Sequence, residues 1–213
     1  MADIFEEVDE ELKEENFKKL WDRFGRYIVV AVVLVVAGTA AHVGWQHYTL
    51  DRQEAFSERF EAAINFESQD KNADAAAVLT VLAEEANDGY AMLARFREAA
   101  ARRAEGDTAA AIDIYDALAV EDSIDAMYRD YAVLLSVITQ ADTGDVGQMV
   151  ERLIPLASSG PWRHTAGEYL GLFALKKGNT AAARERFQTI ADDLEAPQGV
   201  RARAAELLQT LDQ

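Results

Sequence analysis

Three histidines are the only imidazoles in this chain, and their spacing sets the first limit on its chemistry. His42 and His47 stand five residues apart and His164 lies far from both, so no helical i, i+3 or i, i+4 ligand pair forms and no zinc site is expected. The chain has no cysteine, which removes thiolate metal sites, disulfides and a cysteine nucleophile. The glycines are spread singly instead of gathering before a lysine, so there is no phosphate-cradling loop. Ser158 and Ser159 adjoin Gly160 and Pro161, the context of a loop and a helix start and not of a nucleophile elbow. With 38 Asp and Glu residues, carboxylate pairs arise by chance and belong to solvated helix faces. The sequence therefore predicts no catalytic residue, no metal, no cofactor and no enzyme.

Two clusters have chemistry suited to a partner instead. Arg95, Arg97, Arg102 and Arg103 form a basic patch in an acidic region. It can receive an acidic segment or pair with the glutamates around it, and the abundance of glutamates favours pairing. Trp162, just after Pro161, is either a binding anchor or a packing residue at a helix start, and that position favours packing.

The element that positions everything else runs from Tyr27 to Trp45, nineteen residues without a formal charge. At about 1.5 Å per residue a helix of this length spans roughly 28 Å, close to the ~30 Å hydrocarbon thickness of a bilayer. Its valines favour strands in water, but in lipid a lone segment satisfies its backbone only as a helix. Tyr27 and Trp45 sit at its two edges, where amphipathic rings prefer the headgroup layer. A cleaved signal peptide is the rival, since Gly38, Thr39, Ala40 and Ala41 are small; twenty-six preceding residues argue against it. Lys13, Lys18, Lys19, Arg23 and Arg26 precede the span, against Arg52 and Arg59 after it, which places the N-terminus in the cytoplasm and the rest across the inner membrane, in the periplasm. His42, one turn from Trp45, reads as a neutral histidine at the interface.

The expected division is thus a cytoplasmic segment 1–26, a transmembrane signal anchor 27–45 and a periplasmic domain 46–213. In the first, Ile4, Phe5, Val8, Leu12, Phe17, Leu20, Trp21 and Phe24 share a helical face suited to the membrane surface or to a docking partner. The formal charge of −17 divides into −4 before the anchor, from five basic and nine acidic residues, and −13 after it. Such a surface repels phosphate backbones, so nucleic acid is not an expected partner.

The region after the anchor is expected to be all-α, with three prolines in the chain and no alternating run long enough for a sheet. An internal repeat organises it. When Asn72, Gly106, Gly144 and Gly178 are aligned, the intervals are 34, 38 and 34 residues. Ala77, Ala111, Met149 and Ala183 stand five residues after these markers, and Val81, Tyr115, Leu153 and Phe187 nine after. A left-handed turn residue, then a small and a large side chain on one helical face, suits a stack of helical hairpins. The segment Gln198–Leu211, with Val200, Ala204, Leu207, Leu208 and Leu211 apolar, reads as a capping helix with Arg201 and Arg203 exposed.

This pattern resembles the tetratricopeptide repeat. The last unit matches best, through Leu170, Gly171, Gly178, Ala183 and Phe187 with Pro197 after it. The unit at 92–125 keeps Ala99, Gly106, Ala111 and Tyr115; the third has Val137 and Met149 where small residues belong, and the first has Asn65 and Asn72 at its glycine positions. The resemblance implies that the first helix of each unit lines a concave, protein-binding surface, whose family positions fall on Leu93, Phe96, Tyr131, Leu134, Glu168 and Leu172. Most are apolar, which suits a partner; the alternative is that they pack within the stack itself.

The whole layout is similar to a narrower family. An opening MADIFEEVDEELKEE, one signal anchor, then YRDYAVLL at 128–135 and GPWRHTAGEYLGLFALKKGN at 160–179 resemble the YfgM-type ancillary subunits of the bacterial Sec translocon. That resemblance implies association with a SecYEG-type channel and a PpiD-like membrane-anchored periplasmic chaperone. A scaffold of the cell envelope, in division or wall synthesis, is the rival reading.

Overall fold

The computed structural model describes residues 3–212, with side chains from Lys18 onward apart from Lys19, Leu20 and Asp88. All described secondary structure is helical, in nine helices: α1 (Asp3–Ser68), α2 (Asn72–Glu85), α3 (Asp88–Glu105), α4 (Thr108–Ala119), α5 (Ala126–Thr139), α6 (Val146–Ser158), α7 (Arg163–Lys176), α8 (Thr180–Asp192) and α9 (Gln198–Leu211). The chain divides into two compact units, 1–55 and 56–213. The expected stripe of Ile4, Phe5, Val8, Leu12, Phe17 and Leu20 lies outside the described side chains.

In the first unit, the apolar run contributes nothing to a protein core. Val33, Leu34, Val35 and Val36 are each more than half exposed. This is the one helix among the described residues long and apolar enough to cross a membrane, and it is consistent with a single-pass anchor. Its polar groups are dealt with locally. Thr39 Oγ1 donates to the Val35 carbonyl at 2.8 Å, and Arg26 Nη2 donates to the Tyr27 hydroxyl at 3.0 Å with its guanidinium over the ring. At the other end Arg52 lies over Tyr48, which tilts against Trp45. Aromatic rings and basic side chains thus bracket the run at both ends, as headgroup anchors do.

The second unit is a chain of hairpins, each started and stopped by local chemistry. Asn87, Asp107, Asp125, Asp145 and Asn179 accept a backbone N–H from the first turn of α3, α4, α5, α6 and α8, respectively. Gly106 closes α3 at φ 99° and Gly178 closes α7 at φ 78°, both left-handed. Each makes the paired closing bonds of a Schellman turn, Gly106 N–H to Arg103 O with Asp107 N–H to Arg102 O, and Gly178 N–H to Leu175 O with Asn179 N–H to Ala174 O.

The first hairpin repeats this geometry at Asp70 and not at Asn72. Asp70 is the left-handed residue, at φ 59°, and the same bonds run from Asp70 N–H to Glu67 O and from Lys71 N–H to Phe66 O. The expected register of the first unit was therefore two residues late. With Asp70 as the marker, the small residues are Ala63 and Ala75 and the large one Leu79, all fully buried, whereas Ala77 and Val81 are exposed. Aspartate is among the few side chains that visit the left-handed region with little strain, which is why it can do glycine's task here.

Gly144 is a second departure, because its φ is not positive. Glycine is needed there by proximity: a Cβ would lie 2.9 Å from the Gln140 carbonyl oxygen. The small and large positions in this unit are Met149 and Leu153, at 1% and 0% exposure. The core runs along the stack as linked clusters, from Phe56, Ala63, Leu79, Leu82 and Ala94, through Ala99, Ala111, Tyr115 and Leu118, then Leu134, Val137, Met149 and Leu153, to Ala183, Phe187, Ile190 and Val200 under α9.

Candidate protein-binding surface

Helix periodicity places Leu93 and Phe96 one turn apart on α3, and Met127, Tyr128 and Tyr131 on the corresponding part of α5. Phe96 and Tyr131 meet with ring centroids 5.5 Å apart, and Tyr131 stacks on Trp162 at 4.5 Å and 22°. Trp162 is the N-cap residue of α7, and its indole N–H donates to the Met127 carbonyl at 2.9 Å, which fixes the ring. The result is a ladder of aromatic side chains across three successive first helices. Its rings are half-buried, while Leu93, Met127 and Tyr128 beside it are exposed.

The six expected groove residues divide accordingly. Phe96 and Tyr131 come together in the ladder, and Leu93 sits one turn before Phe96. Leu134 is buried against Val137, Met149 and Leu153, and Leu172 packs onto the Ala183 and Phe187 cluster. Glu168 is 4% exposed and held by Arg203, whose Nε and Nη2 each donate to one carboxylate oxygen at 2.7 Å. That pairing raises the Arg203 pKa, while Arg203 itself stays exposed on α9, as expected. Sequence reasoning missed Met127 and Tyr128 as members of the surface. The available signal was the spacing: Phe96 and Tyr131 are 35 residues apart, about one repeat.

Three of the four clustered arginines have carboxylate partners: Arg95 with Glu121, Arg97 with Glu67, and Arg102 with Glu98. Arg95 and then Ser123 hold the Glu121 carboxyl below the usual range. Arg103 has no ion pair among the described residues. Its charge acts on two phenols: Tyr115, raised by burial and then by Tyr131, and Tyr169, raised by burial and then by Glu168; on both Arg103 works in the opposite direction.

A separate cleft is lined by Arg163, His164, Gly167, Arg186, Thr189 and Asp193. His164 is buried, and its Nε2 lies 2.7 Å from Asp193 Oδ2. This bond first, and the Glu195 backbone N–H second, hold the Asp193 carboxyl below its ordinary range. A histidine oriented by a carboxylate is half of a catalytic relay. The hydroxyl lining the same cleft, on Thr189, donates to Glu185 O within its own helix, so the pair staples the α8–α9 loop to α7.

Residues 18–210 match the family of the tetratricopeptide repeat-like domain. The chain belongs to that family. No curated protein and no solved structure matches it. A tetratricopeptide-like domain is an interaction module, and in this one the first helices α3 and α5 carry exposed Leu93, Met127 and Tyr128 beside the ladder. The resemblance to YfgM-type translocon subunits is a finer reading than the family match.

Proposed function

We propose that this tetratricopeptide-like protein is a single-pass inner-membrane protein with a cytoplasmic N-terminus. Its periplasmic domain recruits other proteins beside the Sec translocon, with a SecYEG-type channel and a PpiD-like chaperone as partners. One observation carries the recruiting role: the Phe96, Tyr131 and Trp162 ladder, half-buried and rimmed by exposed Leu93, Met127 and Tyr128, in a chain that also has a helix fit to cross a membrane. The resemblance of the opening segment and of residues 160–179 supports the named partners. An anchor confines the binding surface to a thin layer at the membrane and so raises its effective concentration toward membrane neighbours without any new contact.

Affinity purification from crosslinked membranes tests this reading. Translocon subunits and a membrane-anchored chaperone are the expected captures; division or wall-synthesis proteins in their place would replace it with the envelope-scaffold reading. A reporter active only outside the cytoplasm should work after Gln213 and be silent at the N-terminus, and the reverse pattern would overturn the topology.

A further inference from the structure

Arg103, which acts on Tyr115 against Phe96, has no ion pair among the described residues, but four other guanidiniums of this unit are matched with acids. Arg95 holds Glu121, Arg129 holds Asp122 at 3.4 Å, Arg163 holds Glu195 at 2.7 Å, and Arg203 holds Glu168. An incoming carboxylate would have to break one of these pairs or reach Arg103. Negative charge, by contrast, is left over. Asp130 lies three residues after Met127 and immediately before Tyr131, is half-buried, and has no hydrogen bond or ion pair among the described residues. Asp125 accepts the Met127 backbone N–H at 2.8 Å, a bond that leaves its charge in place.

We propose that the occupant of this surface is an extended segment of another protein in which an apolar stretch adjoins one or more lysines or arginines. The inference rests on reading the ladder as a binding site, and it specifies the chemistry of the ligand. The apolar stretch covers Leu93, Phe96, Met127 and Tyr128, and the basic residue reaches Asp130, one turn along α5 from Met127. A half-desolvated carboxylate without a partner recognises an ammonium or guanidinium group through a charge-assisted ion pair. The net charge of −13 after the anchor steers such a segment inward from a distance. Arg103 is the one cation that favours the opposite sign. It lies ten residues along α3 from Leu93, roughly 15 Å away, and Glu105 and Asp107 follow it closely.

The test uses the full chain in nanodiscs and three fluorescent peptides with one shared apolar core, flanked by Lys and Arg, by Glu, or by Ser. The basic peptide should bind about tenfold more tightly than the acidic one at low salt, with the gap closing as ionic strength passes the regime where the Debye length is about 10 Å. Asp130→Asn, which keeps the side-chain shape, should remove most of that preference while leaving the Ser-flanked peptide and the melting temperature unchanged. Equal binding of basic and acidic peptides, or a preference for the acidic one that Arg103→Gln abolishes, overturns the proposed ligand chemistry alone. If none of the three binds, or if binding ignores Leu93→Ser and Tyr128→Ser, the ladder is not a binding site and both readings fall.

Discussion

The third and fourth hairpins solve the same packing problem by opposite means. In the fourth, the Phe187 ring of α8 lies directly on the backbone of α7: a Cβ at Gly171 would fall 2.5 Å from Phe187 Cε1, and fully buried Ala183 fills the facing position. In the third, Val137 and Met149 occupy those positions, and α5 and α6 approach each other less closely. The space is filled by larger side chains and bound by a polar clasp. Ser136 Oγ donates to Asp116 Oδ1 at 2.6 Å, Arg152 Nη2 donates to the same oxygen at 2.6 Å, and Arg152 Nη1 donates to Ser136 Oγ at 3.1 Å. The clasp joins α4, α5 and α6. A repeat that lacks the family's small residues is therefore an alternative joint, stabilised by volume and hydrogen bonds where its neighbour relies on close approach.

The largest effect should come from removing that volume. Met149→Ala leaves a cavity at a 1% exposed site and should cost about 2–5 kcal/mol in chemical denaturation. A loss below about 1 kcal/mol would show that the volume of Met149 is not what stabilises the joint between α5 and α6.

Gly171→Ala should come next, at about 1–3 kcal/mol, because the obstructing atoms belong to a buried ring with nowhere to move. In the third hairpin Gly144→Ala meets the Gln140 backbone carbonyl, but in a half-exposed turn that can yield, and should cost about 1 kcal/mol. If the two substitutions prove equal, close approach is not the distinguishing feature of the fourth hairpin.

The smallest effect concerns the exit from the fourth hairpin. Asp193 has a depressed folded pKa, so its contribution to stability is complete above the ordinary aspartate range and is lost as pH falls through the folded value. Hydrogen exchange at Glu195 and Ala196 should accelerate in that acid window, and His164→Phe should move the onset up toward the ordinary aspartate range. An unchanged onset would dissociate the staple from the titration.

Much of this architecture was legible because it is local. The apolar run, the left-handed Gly106 and Gly178 and the capping helix 198–211 each depend on neighbours within a turn or two. The first register went wrong at a tie between two residues able to adopt the same conformation, Asp70 and Asn72, and only the buried positions of Ala63, Ala75 and Leu79 break it. The clasp on Asp116 and the pairing of Glu168 with Arg203 join residues 36 and 35 positions apart, about one repeat, but the period does not say which of the many acids and arginines at that spacing meet. For the surface, repeat spacing pointed to Phe96 and Tyr131, but Trp162 joined them through a loop whose course the sequence does not encode in any period.

Leu93 and Val81 offer the most direct test of where partners bind, because they are equally exposed, at 46% and 45%, and only Leu93 adjoins the ladder. A photocrosslinking amino acid placed at either position in the membrane-bound chain separates location from mere exposure. The account predicts discrete protein adducts from position 93 that disappear with Tyr131→Ser, and none from position 81. Adducts of equal yield from both, or from 81 alone, would contradict it.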